Sequence, residues 1–233
     1  MNELFSVIVP AYNEETTLEA NIKAILDVVR PLGDFEVIIV DESTDSTPEI
    51  AAQLSSQNTE VVHVQNIKRL GKGGAIEKGI QKTRGEKIIF IDADLETGLD
   101  EFAQMFRALD SHDIVIGSRF HPDSVVKRPA YRKLLSKCLG LILRILFGIP
   151  LIDTQCGFKG FRRDVILEIL PTVDEKGWFW DVQLLYYARK LGYCIHTIPV
   201  HWQHKRESSY DVPANTFYHL KSILSFFLRT RRL

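Results

Sequence analysis

The stretch "KIIFIDADLE", residues 87–96, decides the fold. Its first half is an apolar run without polar alternation, which predicts a strand covered on both faces of a sheet. Its second half places Asp92, Asp94 and Glu96 at alternate positions directly after that strand. Ligands of open α/β sheets bind beyond the carboxyl ends of the strands. The stretch therefore predicts both a buried parallel sheet and the edge where its chemistry lies.

The neighbouring sequence repeats this pattern. Four more runs read as strands, and four amphipathic stretches between them read as helices: "FSVIVP", "FEVIIV", "VVHV" and "DIVIGS"; "EETTLEANIKAILDVVR", "STPEIAAQLSS", "GGAIEKGIQKT" and "LDEFAQMFRAL". Alternating strands and helices predict an α/β fold with an open, mostly parallel sheet flanked by helices. Asn13, before an acidic pair, and Pro48 are typical helix-start signals.

After about residue 126 the alternation ends. A basic segment leads into an apolar passage, followed by a predicted strand "YCIHTIPVHW" and a final helix "NTFYHLKSILSFFLRTRRL". We expect these elements to extend the same sheet. The predicted organisation is a catalytic domain over residues 1–210, with halves of about 1–120 and 121–210, and an amphipathic helix over 211–233.

Composition restricts the class of protein. The 233 residues are 45% hydrophobic and 25% charged, as in one compact globular domain. Three cysteines without a CxxC pair argue against a disulfide framework and a zinc site. The first residues show no secretory signal pattern, so we expect a cytoplasmic location.

Charge is divided unevenly along the chain. Residues 1–126 carry 22 Asp and Glu against 11 Lys and Arg, whereas residues 127–233 carry 8 against 18. An acidic half suits a metal ion, and a basic half beside apolar sequence suits phosphates or an anionic membrane face. Scattered solvated charges are the alternative. We expect no nucleic-acid partner.

Two features of the acidic half predict phosphate chemistry. The three carboxylates of "DADLE" offer oxygen ligands for Mg²⁺ or Mn²⁺, the alternative being an Asp turn with helix capping. Lys72 lies in "RLGKGGAIEKG" just before a helix, where backbone N–H groups and a lysine suit a phosphate, the alternative being a plain glycine-rich turn. No GxGxxG follows the first strand, which weakens a dehydrogenase interpretation.

The basic half offers a second phosphate site. Arg128, Arg132 and Ser136 follow one another at helical i, i+4 steps around Pro129, and Arg119 follows the strand "IVIGS". Two arginines and a hydroxyl on one face suit a phosphate monoester. A phosphate monoester is already largely ionised at neutral pH, so its oxygen can act as a nucleophile without a general base.

Seven motifs in order resemble the family 2 inverting glycosyltransferases, specifically the dolichyl-phosphate (polyprenyl-phosphate) mannose and glucose synthases. They are "SVIVPAYNEE", Asp41 after the second strand, "GKGGAI", "DADLE", "IGSRF", "DTQCGFKGFRRD" and "WFWDVQLL". The resemblance implies a glycosyltransferase A-type fold and metal-dependent transfer of a hexose, with inversion, from a nucleotide diphosphate sugar to polyprenyl or dolichyl phosphate. UDP-glucose and GDP-mannose both stay open, because "VDESTDST" carries Glu42 where the family usually has aspartate; "DTQCGFK" favours glucose.

The resemblance also implies roles for individual residues. Those expected to bind the nucleotide sugar are Pro10, Tyr12, Glu14, Asp41, Lys72 and Asp92, and those expected to hold the metal are Asp92, Asp94 and Glu96. The acceptor phosphate is assigned to Arg119, Arg128, Arg132, Ser136 and Arg206, with Arg128 resting on the helical spacing, and the sugar or acceptor side to Asp153, Gln155 and Asp181. Asp94, Arg119 and Arg132 are the predicted catalytic residues. Trp178, Phe179 and Trp180 either wall the cleft or pack in the core.

The apolar passage, residues 134–152, contains Lys137 and Arg144, which makes a membrane span unfavourable. As a helix it has one narrow polar stripe, formed by Lys133, Ser136, Lys137, Gly140 and Arg144. We therefore expect it to lie in a membrane surface, with a core position as the alternative. The final helix places Phe217, Leu220, Ile223, Leu224 and Phe227 on one side, which suits either a membrane surface or docking onto the sheet. Together these features predict peripheral association with the cytosolic membrane face.

Three other functions stay open at this point. They are a glycosyltransferase acting on a sugar or polysaccharide, a sugar-phosphate nucleotidyltransferase, and a non-catalytic module that binds nucleotide sugars. His201 and His204 in "HWQH" suggest a histidine metal site, but the sequence indicates no third ligand.

Overall fold

The structure is a computed structural model that describes residues 3–149, 153–204 and 212–231. The strands are β1 (Phe5–Ala11), β2 (Phe35–Asp41), β3 (Val61–Gln65), β4 (Lys87–Ile91), β5 (Ile114–Gly117), β6 (Val125–Lys127), β7 (Phe158–Arg162), β8 (Ile195–Ile198) and β9 (His201–Gln203). The helices are α1 (Leu18–Val29), α2 (Thr47–Gln57), α3 (Lys72–Ile80), α4 (Phe102–Ala108), α5 (Ala130–Phe147), α6 (Arg163–Ile169), α7 (Trp180–Lys190) and α8 (Val212–Thr230).

Seven of these strands form one sheet in the order β3-β2-β1-β4-β7-β5-β8. β7 runs antiparallel to both of its neighbours, and the other pairings are parallel. β6 and β9 form a separate short parallel pair. The predicted α/β class with a mostly parallel sheet is confirmed, as is the expectation that the second half extends the first half's sheet.

Helices cover both faces of this sheet. Buried residues of α1, α2 and α4 pack with one face, and those of α3, α6 and α7 pack with the other. β4 is buried along its whole length, as its uniformly apolar sequence predicts. The carboxyl ends of the parallel strands therefore meet at one edge, between the two helical layers.

Two local predictions were wrong. α1 begins at Leu18, and Asn13 does not cap it; Asn13 instead adopts a positive φ of 56° and accepts the N–H of Thr44 through its side chain. The run "YCIHTIPVHW" forms two strands, β8 and β9, in different sheets. The break follows Ile198 at Pro199, a residue without a backbone N–H for the ladder.

The apolar passage forms most of α5, which ends at Phe147 before the left-handed Gly148. Its inner face contains Gly140, Leu143 and Phe147, which pack with α7 and α8. The predicted polar stripe was therefore wrong at Gly140, which lies buried against the body of the protein. Five apolar residues face outwards instead: Leu134, Leu135, Leu141, Ile142 and Ile145.

The apolar residues that the sequence places on one side of α8 are partly buried and partly exposed in the structure. Ile223 and Phe226 are buried against α5 and α7, whereas Leu220, Leu224 and Leu228 are exposed. One side of α8 therefore docks, but onto α5 and α7 rather than onto the sheet, as the docking alternative had it. The exposed leucines keep the membrane alternative open for the other side. The side chain of Phe217 lies outside the described residues.

Candidate functional site

The carboxylates after β4 lie at the predicted edge. Asp92, Asp94 and Glu96 are half-buried, whereas the intervening Ala93 and Leu95 are buried, so the three acidic side chains share one side. Leu95 has a left-handed φ of 47°, which is uncommon for a leucine and typical of a constrained functional turn.

Lys72 is the cation of this edge. Its Nζ lies 2.7 and 2.8 Å from the two carboxylate oxygens of Asp92. Burial lowers the pKa of Lys72, but the charges of Asp92, Asp181 and Asp94 outweigh burial and raise the pKa above its ordinary value. Lys72 therefore carries a proton at neutral pH. Gly157 lies directly behind Asp92, where a side chain would collide with the carboxylate.

Asp94 has a raised pKa, as expected for a carboxylate in a cation-binding site. Burial, followed by the charge of Asp92, raises the pKa of Asp94 to about 6. Its Oδ1 accepts the N–H of Glu96 at 3.0 Å, and Glu96 lies 2.7 Å from Nδ1 of His204. Crowded carboxylate oxygens with one raised pKa fit Mg²⁺ or Mn²⁺, because a divalent cation relieves the repulsion that disfavours ionisation.

The predicted nucleotide residues lie beside this edge, around the ends of β1 and β2. Tyr12 is exposed, and the guanidinium of Arg69 lies 3.7 Å from the centre of its ring. The backbone N–H of Glu14 donates to Thr47 Oγ1 at 2.8 Å. Asp41 is fully buried; it accepts the N–H of Ser43 at 2.9 Å and lies 3.5 Å from Nε2 of His63.

Glu42 has a role that the sequence did not indicate. Its carboxylate is buried and accepts the backbone N–H groups of Leu70 and Gly71 at 3.0 and 3.2 Å. These amides immediately precede Lys72, so Glu42 holds the loop that presents this lysine. The only indication of this role in the sequence is that Glu42 is an acidic residue directly after a strand.

The acceptor side begins with a buried ion pair between Arg119 and Asp153. The Arg119 side chain donates to Asp153 at 2.8 and 2.5 Å, and the Arg119 N–H adds a bond at 2.8 Å. Burial lowers the pKa of Arg119, but Asp153 outweighs burial and raises the pKa above its ordinary value. Asp92 contributes in the same direction, which places this pair within electrostatic reach of the carboxylate edge.

Arg128 is the least satisfied cation of the site. Its Nη2 donates to Ser136 Oγ at 2.8 Å and to the carbonyl of Arg132. Its Nε and Nη1 are buried without a hydrogen-bond partner among the described residues. Burial, followed by repulsion from Arg119, lowers the pKa of Arg128 to about 10. A bound anion would satisfy both the donors and the charge. Arg128 contacts Ser136 as predicted, although Arg128 precedes α5 and is not part of the helical alignment.

The other acceptor-side residues are in different surroundings. Asp181 is buried and forms an ion pair with the buried Lys159 at 2.7 Å. Gln155 donates to the carbonyl of Trp178 at 3.5 Å. Phe179 and Trp180 are core residues, whereas Trp178 is exposed and lies 5.1 Å from Lys72 Nζ. Arg206 lies outside the described residues.

A second group of metal-ligand side chains lies near β9. Asp100, Glu101 and His201 bring ligand atoms within 4.8 Å of one another. Asp100 and Glu101 are thus possible further ligands beside His201, which the sequence did not indicate. His204 does not belong to this group, because it contacts Glu96. Among the described residues no such compact group is formed by Asp92, Asp94 and Glu96, whose oxygens are engaged by Lys72, a backbone amide and His204.

The outer face near the acceptor side is apolar and basic. It combines the exposed leucine and isoleucine residues of α5 and α8 with the exposed Lys133, Lys137 and Arg144. No helix in the described part of the chain is both long and apolar enough to cross a membrane.

A mostly parallel sheet flanked by helices, with acidic residues at its carboxyl edge, is the architecture of the glycosyltransferase A-type fold. The chain belongs to glycosyl transferase family 2, whose family model matches residues 6–170. The predicted family is thereby confirmed.

The curated relatives include lipid-phosphate glycosyltransferases. Glycosyltransferase AglD of Haloferax volcanii is 33% identical over 213 residues, which are 89% of this chain and 34% of that protein. The dolichyl-phosphate beta-glucosyltransferase of Dictyostelium discoideum is 32% identical over 243 residues, covering 96% of this chain and 73% of that protein. The human dolichyl-phosphate beta-glucosyltransferase is 33% identical over 215 residues, covering 84% and 66%. The chain thus spans a third of AglD and about two thirds of the other two.

Solved structures share the fold. Glucosyl-3-phosphoglycerate synthase from Mycobacterium tuberculosis, in complex with Mn²⁺, UDP-glucose and glycerol 3-phosphate, matches with a TM-score of 0.71 at 20% identity, over 97% of this chain and 80% of that one. Mannosyl-3-phosphoglycerate synthase from Rubrobacter xylanophilus matches with a TM-score of 0.70 at 17% identity, over 99% and 76%.

Proposed function

We propose that the protein transfers a hexose from a nucleotide diphosphate sugar to polyprenyl or dolichyl phosphate. The observation that carries the proposal is Arg128, which has two buried donors without a partner among the described residues and lies within electrostatic reach of Glu96. A cation with unpartnered donors can bind an anionic acceptor. The nearby carboxylate edge can hold the metal that binds the donor, so the two substrates would lie side by side. The names of the curated relatives support dolichyl phosphate as that acceptor and favour glucose over mannose, so UDP-glucose is the proposed donor.

The proposed reaction is a single displacement at the anomeric carbon. A phosphate oxygen of the acceptor forms the new bond, the bond to the diphosphate breaks, and the nucleoside diphosphate leaves with that electron pair. The acceptor phosphate has a second pKa of about 6 and is largely dianionic at neutral pH, so no proton transfer is needed. Attack from the face opposite the leaving group inverts the configuration.

The chain's own residues orient and neutralise the reactants. Arg119, Arg128, Arg132 and Ser136 hold the acceptor phosphate, and Arg206 is assigned to the same anion on sequence grounds. Lys72 neutralises the diphosphate, after exchanging part of its interaction with Asp92 for a phosphate oxygen.

Mg²⁺ or Mn²⁺ would be held by Asp92, Asp94 and Glu96. When bound, it supplies positive charge for the departing diphosphate. Pro10, Tyr12, Glu14 and Asp41 are proposed to bind the nucleoside, and Asp153, Gln155 and Asp181 to shape the sugar side. For the buried Asp153 and Asp181, this shaping acts through Arg119 and Lys159, with which they form ion pairs.

A membrane surface is the proposed location of the acceptor. The exposed apolar residues of α5 and α8 bury their side chains in the interface, while Lys137 and Arg144 reach the head groups. Ser136 faces the site from the same helix whose other side is apolar. We therefore propose that the acceptor phosphate lies beside the apolar face, on the cytosolic side of the membrane.

The test is an assay with polyprenyl phosphate, Mn²⁺ and a panel of UDP and GDP sugars. The expected product is a lipid-phosphate-linked glucose formed from UDP-glucose. A lipid-linked mannose formed from GDP-mannose alone would correct the donor assignment. Absence of any lipid-linked sugar across the panel would refute the function, and transfer to a free sugar instead would favour the polysaccharide alternative.

A further inference from the structure

Residues 174–178 form a turn just before α7, of which only Trp178 belongs to the site described so far. Oε1 of Glu175 accepts the backbone N–H groups of Lys176 and Gly177 at 3.1 and 2.9 Å. Oε1 of Gln183 accepts the N–H groups of Asp174 and Glu175 at 3.2 and 3.1 Å. Two side-chain oxygens thus fix four consecutive backbone amides, so the turn is rigidly defined.

This turn closes on the N-terminus of α3. The carbonyl of Lys176 accepts the N–H of Gly74 at 2.9 Å, which satisfies one of the donors that the first turn of a helix leaves free. The same carbonyl lies 3.0 Å from the position a Cβ would take on Gly71. Lys176 also forms an ion pair with Glu77 on α3. The start of α3, and with it Lys72, is held against the turn.

The last residue of the turn faces the site directly. The indole ring of Trp178 lies 5.1 Å from Lys72 Nζ, and its carbonyl accepts a hydrogen bond from Gln155. Trp178 therefore stands between the lysine of the donor side and a residue of the predicted acceptor side.

α8 holds the turn from its other side. The hydroxyl of Tyr218 donates to the same Oε1 of Glu175 at 2.7 Å. A side chain on Gly177 would overlap this hydroxyl, so the glycine allows the close approach. Arg229, near the end of α8, pairs with Asp174. Burial, followed by the hydrogen bond to Glu175, raises the pKa of Tyr218 to about 12, which keeps the phenol protonated as a donor.

We propose that Glu175 and Tyr218 are positioning residues of the donor site, which connect α8 to Lys72 through the turn at residues 174–178. This inference rests on the proposed function, because it assumes that Lys72 binds the donor diphosphate. Its consequence is that α8 contributes to nucleotide-sugar binding without touching the nucleotide. Leu220, Leu224 and Leu228 are exposed on the same helix. A membrane that binds α8 through these leucines would therefore also fix the position of Lys72 in the donor site.

The test compares two tyrosines that make the same kind of bond in different places. Tyr218→Phe removes the bond to Glu175, whereas Tyr193→Phe removes a hydroxyl that donates to Glu168 at 2.5 Å, at the exposed far end of α7. The measurements are the affinity for UDP with Mn²⁺ by calorimetry, and KM and kcat for the donor. Tyr218→Phe should weaken UDP binding and raise the donor KM about three- to tenfold, as expected for the net contribution of one hydrogen bond, with kcat within about twofold. Tyr193→Phe should leave both unchanged.

A lowered melting temperature for Tyr218→Phe with unchanged UDP affinity would show a purely structural bond and overturn the inference. Glu175→Gln gives a second measure, because it keeps one oxygen acceptor but removes the charge, and we expect a smaller increase of the donor KM in the same direction. Wild-type protein that binds neither UDP nor GDP with Mn²⁺ would refute the proposed function and this inference together. Wild-type binding that both variants retain would refute this inference alone.

Discussion

Lys72 and Arg128 are both cations of the same site, but their surroundings differ. Lys72 is held by both oxygens of Asp92 and by a helix start that Glu42 and Lys176 fix in place. Arg128 keeps two buried donors without a partner among the described residues, and its pKa is lowered by burial and by Arg119. A paired cation keeps its place in the absence of ligand, whereas a half-buried cation with unpartnered donors is stabilised by an anion that it binds. In the proposed function, the fold therefore organises the donor side, and the substrate completes the acceptor side.

The largest effect tests the organised donor side. Asp94→Asn removes one charge from the carboxylate edge, so turnover should fall about a hundredfold or more, with loss of the thermal stabilisation that Mn²⁺ provides. Steady-state kinetics and melting curves with and without Mn²⁺ measure both. Asp100→Asn is the matched control, since Asp100 belongs to the separate group with Glu101 and His201. If Asp100→Asn alone lost the stabilisation by Mn²⁺, the metal would be assigned to Asp100, Glu101 and His201 instead.

The next effect tests the unpaired acceptor side. Arg128→Ala should raise the KM for polyprenyl phosphate about ten- to a hundredfold, because charged hydrogen bonds to the phosphate are lost. The donor KM should stay within about twofold, since Lys72 and Asp92 remain paired. Arg162→Ala provides the control, because Arg162 is an exposed arginine that pairs with Asp113 and Asp164. Equal changes in the donor and acceptor KM would abolish the distinction between the two sides.

A third prediction concerns the apolar face beside Arg128. Leu141→Glu combined with Ile145→Glu should lower partitioning onto anionic vesicles at least about tenfold, because each buried side chain contributes roughly 1.5–3 kcal/mol. Affinity for UDP should not change. Leu167→Glu, at an exposed leucine of α6, serves as the control. Leu146 is unsuitable for this test because it packs partly in the core with α7 and α8. Unchanged partitioning of the double variant would refute the membrane role of α5.

The smallest effect concerns the loop before Lys72. Glu42→Gln replaces an acceptor oxygen by a donor facing two backbone N–H groups, so the donor KM should rise about three- to tenfold. The acceptor KM should not change. Glu19→Gln, at an exposed residue of α1, is the matched control. A change in the acceptor KM alone would show that this loop does not serve the donor.

The sheet and its carboxylate edge were predictable because their signals are local. The apolar run of β4 and the alternation of Asp92, Asp94 and Glu96 follow from periodicity alone. Arg128 and Ser136 also meet, although Arg128 lies before the start of α5 and reaches Ser136 through its own side chain.

The contacts that support the site were not predictable in the same way. Glu42 reaches amides 28 and 29 positions away, and Tyr218 reaches Glu175 across 43 positions. Periodicity also identifies the faces of a helix without showing which of them meets the rest of the protein. For that reason Gly140 was assigned to a polar stripe, although it lies on the buried side of α5.

The central claim is that the acceptor is a phosphate held by Arg128, whose Nε and Nη1 have no partner among the described residues. The most direct measurement is transfer from labelled UDP-glucose, with Mn²⁺, to polyprenyl phosphate and to the corresponding polyprenol, which lacks the phosphate. The account predicts labelled lipid from the phosphate and none from the alcohol. Comparable labelling of the alcohol, or release of UDP that is independent of the lipid phosphate, would contradict it.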